Sequence, residues 1–553
     1  MDAMKQDRTR QSRQIKRAAL AVGAGGLLVA GALVCVPDGK RGAPPPSGPE
    51  ARALDALSAG APASGADLAA LIRDREAWVG RHPGDARAWA VLGSAYVRRG
   101  VRQADPAAFP RAERALDRAL AGPLPDASAA PAVSASPRAS AGTGATAAPE
   151  GPASPGASDS LASPAAPRTP PVPTGSTAVA AGAPGARAAT GAPAADTPPE
   201  ALVGLAALAD ARQDYPAART WGERALRRSP TAWAAYPPLI DAYSLHGDHE
   251  AAGRAAARLA KAGPKAPPAA AEYAVVYRDR GRREDAAAQA SAAVEQASAP
   301  AQKGAALAAL GDLAWERGEP EEALGQYGAA LQAAPDLYTA QAGRGRALAA
   351  LGRTDEAYQT YDTALAGLPD PAYALEYGEL FDSLGLTGDA STQYAKVRAL
   401  AARGARAGVD ENLVLGRYEA DHGAPASAVT RLTAEWTRGH RGIETADALG
   451  WALYRSGDAS RALTYATTAT EQGRRSALYT YHRGEIERAL GMAAEARRHL
   501  DEALRTNPYF SPLLAPRARE ALGALGGSTA TGGVAGTTEE ADGPTVRAPA
   551  AQP

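Results

Sequence analysis

The side chains able to do chemistry are present but scattered. The chain has seven histidines, and only His246 and His249 fall close together, three apart with Asp248 between them. Such a set could hold a metal ion weakly, but it falls in a turn between helices, where polar residues are expected in any case. No HExxH, GxSxG, phosphate-loop or CxxC pattern occurs. Gly23-x2-Gly26 lies in an uncharged apolar run and is no nucleotide loop. The single cysteine, Cys35, leaves no internal disulfide to form. Carboxylates are plentiful, but they are spread over helix faces where solvation accounts for them. The expectation is a chain without catalytic, cofactor or metal sites, which leaves binding.

Binding residues need helices to carry them, and the stretch from Ile443 to Pro508 shows how those helices are arranged. It reads as two copies of one 34-residue unit. Leu449-Gly450, Tyr454, Gly457, Ala462 and Ala469 mark the first copy; Gly484, Gly491, Ala496, Leu500, Ala503 and Pro508 mark the second. The glycine between the two helices of a unit recurs at Gly247, Gly281, Gly318, Gly352, Gly385, Gly423, Gly457 and Gly491, at intervals of 34, 37, 34, 33, 38, 34 and 34. Gln213 takes its place in one unit. Tyr96, Tyr243 and Tyr277 share one position in the first helix, and Tyr454 lies one residue beyond it. Trp89-x2-Leu92-Gly93-x2-Tyr96 is the fullest first-helix pattern; Ala323-x3-Tyr327 with Pro335 and Ala357-x3-Tyr361 with Pro369 are second-helix patterns. Ten units start near Ala86, Pro199, Trp233, Pro267, Gly304, Tyr338, Pro371, Val409, Ile443 and Ala477.

Each residue type has a reason to be where it is. Small residues such as Gly311 and Ala323 let the two helices of a unit approach, while Leu307, Leu310 and Tyr327 fill the joint between units. Gly318 stands where the first helix must stop, because glycine adopts the left-handed conformation cheaply. Pro216, Pro320 and Pro425 open second helices, where a missing N–H costs little.

This period and these residue types resemble the tetratricopeptide repeat (TPR) family. The resemblance implies an all-α, right-handed solenoid of about ten helical hairpins, none stable alone. It also implies that first helices line a concave face along which a protein or peptide partner lies. By repeat position the inward residues include Trp315, Glu316, Arg346, Glu379, Asp382, Arg417 and Asp421. They continue with Asp447, Trp451 and Arg455, then Tyr481, Glu485 and Arg488. Both charges beside Trp451 and Tyr481 would suit an extended peptide with an aromatic anchor point. No lysine and asparagine set lies on this face, which departs from the subgroup that grips chaperone C-termini.

The remaining segments set the context. Charge is balanced, 60 basic against 60 acidic residues, so nothing marks a nucleic-acid surface. Arginine far outnumbers lysine, and with the alanine, glycine and proline load this points to a GC-rich coding genome. Residues 1–17 are basic, and Ala18 to Val36 carries no charge and is just long enough to span a bilayer. The adopted reading is a retained signal anchor with the repeats on the extracytoplasmic side of a bacterial cell membrane. Cleavage at Ala30-x-Ala32, followed by secretion, is the alternative; a lipoprotein signal at Cys35 conflicts with Val34, and a soluble cytosolic adaptor stands as a further reading. Residues 37–65 read as a linker with a short helix near Ala51 to Leu57, and Asp67 to Arg81 as a capping helix. Residues 122–198, rich in alanine, proline, serine and glycine, cannot bury enough apolar surface to fold. Because about 72 residues there interrupt the period between units one and two, those units are expected to stack across the insert. Pro237-Pro238 should delay the first helix of unit three, and the second helix of unit seven should run long, over Ser391 to Arg406. Ser511 to Leu525 reads as a closing helix, and residues 526–553 as a disordered tail.

Overall fold

The computed structural model describes residues 48–121, 197–262 and 268–526, and among them every regular element is a helix and none a strand. The anchor expected at residues 18–36, nearly all of the insert and the tail beyond residue 526 lie outside them. Among the described residues, no helix is long and apolar enough to cross a membrane.

Two helices, Pro49–Ala59 and Gly65–Arg81, precede the hairpins. Repeat one pairs Ala86–Arg102 with Phe109–Leu120, repeat two Pro199–Ala211 with Tyr215–Arg228, and repeat three Tyr236–Leu245 with His249–Ala260. Repeat four pairs Ala270–Asp279 with Arg283–Gln296, five Pro300–Glu316 with Pro320–Ala333, and six Tyr338–Ala350 with Thr354–Gly367. Repeat seven pairs Pro371–Ser383 with Thr387–Arg406, and eight Asn412–His422 with Pro425–Thr437. Repeats nine and ten pair Ile443–Arg455 with Ala459–Glu471 and Ala477–Ala489 with Ala493–Thr506; Leu514–Ala524 closes the array.

The turns work as their residue types dictate. Seven of the eight turn glycines have φ between 70° and 93°, and Gln213 takes the same conformation at 60°. Gly423 differs, with φ −138°. In repeat one the helix runs through Gly100 to Arg102, and Ala104, at φ 39°, makes the turn instead. Gly100 has no room for a side chain there, since an added Cβ would lie 2.6 Å from the Phe109 ring. After the turn, Asp214, Asp248 and Asp458 each cap the second helix by accepting a main-chain N–H, which satisfies a donor the helix cannot.

Tyr327 shows the packing rule. It is 1% exposed, and added Cβ atoms at Gly311 and Gly343 would come within 2.7 and 2.4 Å of its ring. One large side chain on a second helix thus fills space that two glycines leave, one in its own repeat and one in the next.

Several expectations need correcting. The short helix expected near Ala51 to Leu57 runs longer, Pro49–Ala59, and it is packed: Arg52 is bonded to Asp67 and the following Gly60 lies against Ala234 and Pro237 of repeat three. The first helix of repeat five starts at Pro300 rather than near Gly304, because Pro300 suits a first helical position. In repeat three a 3₁₀ turn, Trp233–Ala235, precedes the α-helix, which starts one residue before Pro237. Across the insert, Ala119 of repeat one clusters with Ala201 of repeat two, and Leu116 would meet a Cβ at Gly204 at 2.4 Å. Repeats one and two therefore stack.

Candidate functional site

The solenoid comes back onto itself after about one superhelical turn. The inter-helix turn of repeat two meets the connection after repeat seven, where the Asp410 N–H donates to Arg212 O at 3.0 Å. The turn of repeat three meets the connection after repeat eight: Gly442 N–H donates to Leu245 O at 2.8 Å and His246 Nδ1 to Gly439 O at 2.6 Å. The turn of repeat four meets the connection after repeat nine, with Arg283 Nη2 donating to Arg475 O at 2.6 Å. The turn of repeat five meets the end of repeat ten, with Asn507 Nδ2 donating to Trp315 O at 2.7 Å. First helices consequently line a lumen rather than an open groove.

In the C-terminal part of this lumen lies a cavity of about 550 Å³. Its wall carries an ion chain that crosses from one superhelical turn to the next. Arg278 Nη2 lies 2.6 Å and Arg474 Nη2 3.2 Å from Glu316 Oε1, and Arg474 Nη1 lies 2.9 Å from Glu444 Oε1. Burial pushes the Glu316 carboxyl up, but the Arg278 and Arg474 guanidiniums outweigh it and hold it down at about 2. Arg346 pairs with Glu376 at 2.8 Å and lies over the Trp315 ring at 5.7 Å. Arg417, also on this wall, is exposed and has no ion pair among the described residues. The N-terminal first helices hold a different set, Asp210, Asp241, Glu272 and Asp279; Arg98 is the counter-charge the first three feel, and Arg474 and Arg278 the ones Asp279 feels. Burial, reinforced by Asp241, pushes Glu272 up to about 7; burial and Asp279 push Asp241 up to about 6.

These acids set a pH dependence. An acid raised in the folded state destabilises the fold above its folded pKa, and that penalty is relieved as pH falls through it. Glu411, pushed by burial up to about 7, acts in the same direction. His440, held low by burial, opposes only below its ordinary value, and Glu316 loses its stabilisation only below the ordinary carboxylate range, progressively as pH falls to about 2. From pH 8 to 6.5 stability should therefore rise, by about 1–2 kcal/mol. A thermal melt series checks this; the slope should flatten in the pair Asp241→Asn and Glu272→Gln, and a melting temperature that falls over this range contradicts it.

The residues singled out from sequence divide into two groups. Trp315, Glu379, Arg417, Asp447 and Trp451 line the cavity. Trp451, with Arg455, Tyr481, Glu485 and Arg488, lines a separate depression of about 420 Å³ beside Leu514–Ala524. An accessible aromatic anchor at Trp451 and Tyr481 is not what the fold provides. Trp451 is 5% and Tyr481 2% exposed, both within the core of the last repeats. Trp451 stacks on His482 at 4.0 Å and its Nε1 donates to Asp421, which also pairs with Arg455. Asp447 is buried against His482 at 2.9 Å, and Glu485 is buried on Arg488 at 2.7 Å. The closing helix and these buried partners convert an inward position into a core position.

Sequence reasoning missed Arg278, Glu444 and Arg474, and the acids of repeats two to four. Asp241 has the same offset from its turn glycine as Arg346, Glu379 and Arg417 have from theirs, so the repeat register could have found it. Arg474 lies in a connection between repeats, where no register exists. His246 and His249 do not converge: one bonds Gly439, the other Gln472 Oε1 at 3.3 Å. Asp410, Glu435 and His440 do converge, but Arg438 already pairs with both carboxylates.

Comparison with known proteins bears on what these hairpins are. No curated protein matches the chain. Among solved structures, it is similar to a tetratricopeptide repeat protein from Parabacteroides merdae ATCC 43184, at 20% identity over 46% of this chain and 97% of that one, with a TM-score of 0.29. It is also similar to the APC/C hetero-tetramer Cut9-Hcn1, at 15% identity over 59% of this chain and 55% of that one, with a TM-score of 0.35. The family described as tetratricopeptide repeat matches residues 308–374 and 448–511, at the centre and at the C-terminal end of the array: those stretches carry tetratricopeptide repeats.

Proposed function

We propose that this protein is a non-enzymatic scaffold that holds an extended protein segment in the lumen of its repeats. The observation that carries the reading is Arg417, an exposed cation with no ion pair among the described residues, on the wall of a roughly 550 Å³ cavity that also presents aromatic rings and carboxylates. A backbone carbonyl or carboxylate of a bound chain would complete it. The scaffold would be tethered by residues 18–36 to a bacterial cell membrane, with the repeats outside the cytoplasm.

A photo-crosslinking residue placed at Glu379 in the full chain, in its native cell, should capture a discrete protein partner. Capture should fall at least tenfold when Arg417→Glu is added. Equal capture from Gln359, exposed on a second helix, or no effect of Arg417→Glu, overturns the lumen as the site. Fractionation of the same cells tests the tether: recovery of the full chain in the soluble cytosolic fraction removes it.

A further inference from the structure

We infer that the contact between successive superhelical turns is a gate, a seam that opens as one unit to admit a chain sideways into the lumen. That purpose rests on the lumen being the binding site; the opening itself does not.

The turn glycines show where the gate lies. An added Cβ at Gly281 would sit 2.0 Å from Gly473 O, one at Gly247 3.0 Å from Arg441 O, and one at Gly318 2.9 Å from Asn507 Cα. At Gly352, Gly385, Gly457 and Gly491, which have the same left-handed backbone, nothing lies within 4 Å. Three turns therefore press main chain against main chain, and four face open space.

The seam is built so that opening it leaves little undone. The apolar cores lie between sequence neighbours, and among the residues packed on them Val409 crosses the seam, against the core of repeat one and Leu208. Apart from the Tyr215 ring against His440 at 5.0 Å, the rest is polar: two main-chain hydrogen bonds at Asp410 and Gly442, side-chain bonds from His246, His249, Arg283 and Asn507, the Gly65 N–H on Asp336, and the ion pairs Arg102–Asp336 and Arg403–Asp105. Each exchanges for a bond to water when the turns part, so each contributes modestly. The ion chain also divides cleanly. If Glu316 and Arg474 separate, Glu316 keeps Arg278 and Arg474 keeps Glu444. Arg102 would lose Asp336 and Arg403 would lose Asp105, but both acids are already 42% and 32% exposed, so parting them costs less than stranding a charge inside a core. Contacts between neighbouring repeats, which hold a solenoid together, are untouched.

Hydrogen exchange on the full chain tests this. In the wild type, the Asp410 and Gly442 amides should exchange at least tenfold faster than the Ala452 amide inside the neighbouring helix. Gly281→Ala and Gly352→Ala carry the same left-handed strain, but only the first meets the opposing backbone. Gly281→Ala should speed exchange at Asp410 and Gly442 a further tenfold or more, although these amides pair with repeats two and three rather than four. Gly352→Ala should leave them within twofold. Wild-type protection equal to that of Ala452, or the same effect from both variants, overturns the gate. Should Gly281→Ala lose helical circular dichroism, Arg283→Ala with Asn507→Ala removes two seam hydrogen bonds and is judged by the same two amides. No partner enters this assay, so a gate without a lumen ligand, and a lumen ligand without a gate, give different results.

Discussion

Replacing Glu316 by glutamine should destabilise the central repeats by about 3–5 kcal/mol, among the largest effects of any single polar change in the molecule. The carboxylate is 16% exposed and lies between two guanidiniums from different superhelical turns. Glutamine keeps the shape but removes the charge, leaving the half-buried Arg278 without its counter-ion while Arg474 retains Glu444. The depression of the Glu316 carboxyl to about 2 reports the same attraction from the acid's side. Urea unfolding followed by circular dichroism measures the loss. The transition is expected to broaden, because a solenoid need not unfold as one cooperative unit. Glu250→Gln is the control: that carboxylate pairs with Arg254 on the surface, 79% exposed, and its loss should leave the transition in place. A shift no larger than the control's would mean that the ion chain contributes nothing net.

Tyr327→Ala should be as damaging, about 3–5 kcal/mol, for an apolar reason. The ring fills space left by Gly311 and Gly343, and neither glycine has a side chain that can collapse into the hole. Its hydroxyl donates to Asp312 Oδ1 at 2.7 Å, so alanine also takes a partner from a half-buried acid. Tyr327→Phe separates the two contributions and should lose only about 1 kcal/mol, the net value of one hydrogen bond. Since the ring bridges repeats five and six, the alanine variant should lose hydrogen-exchange protection in both, while repeat one keeps its own. A loss confined to repeat five would show that the joint between repeats depends on other contacts.

Much of the architecture could be read along the chain because it is local. Each turn needs a residue that tolerates a left-handed backbone, and each hairpin needs a small residue facing a large one, so a period near 34 announces both. Where reading failed, a neighbouring element had changed the local answer. Gly100 looks like a turn residue but makes room for the Phe109 ring, and the turn falls to Ala104. The helix near Ala51 to Leu57 could be read, but helix propensity alone does not reveal that the Gly60 after it packs beside Ala234 and Pro237. The inward register correctly brought Trp315, Glu379 and Arg417 to one cavity. It could not tell that Trp451 and Tyr481, at equally inward positions, are covered by Asp421, His482 and the helix Leu514–Ala524.

The sequence by itself determined the hairpins, their order and the face each first helix turns inward, because turns, caps and small-to-large packing act over a few residues. Only the tertiary structure decided that the array meets itself, pairing Arg212 with Asp410, Leu245 with Gly442 and Glu316 with Arg474. Those pairings depend on a small rotation per repeat that accumulates over five or more repeats. No single residue encodes that sum, so no spacing in the chain records it.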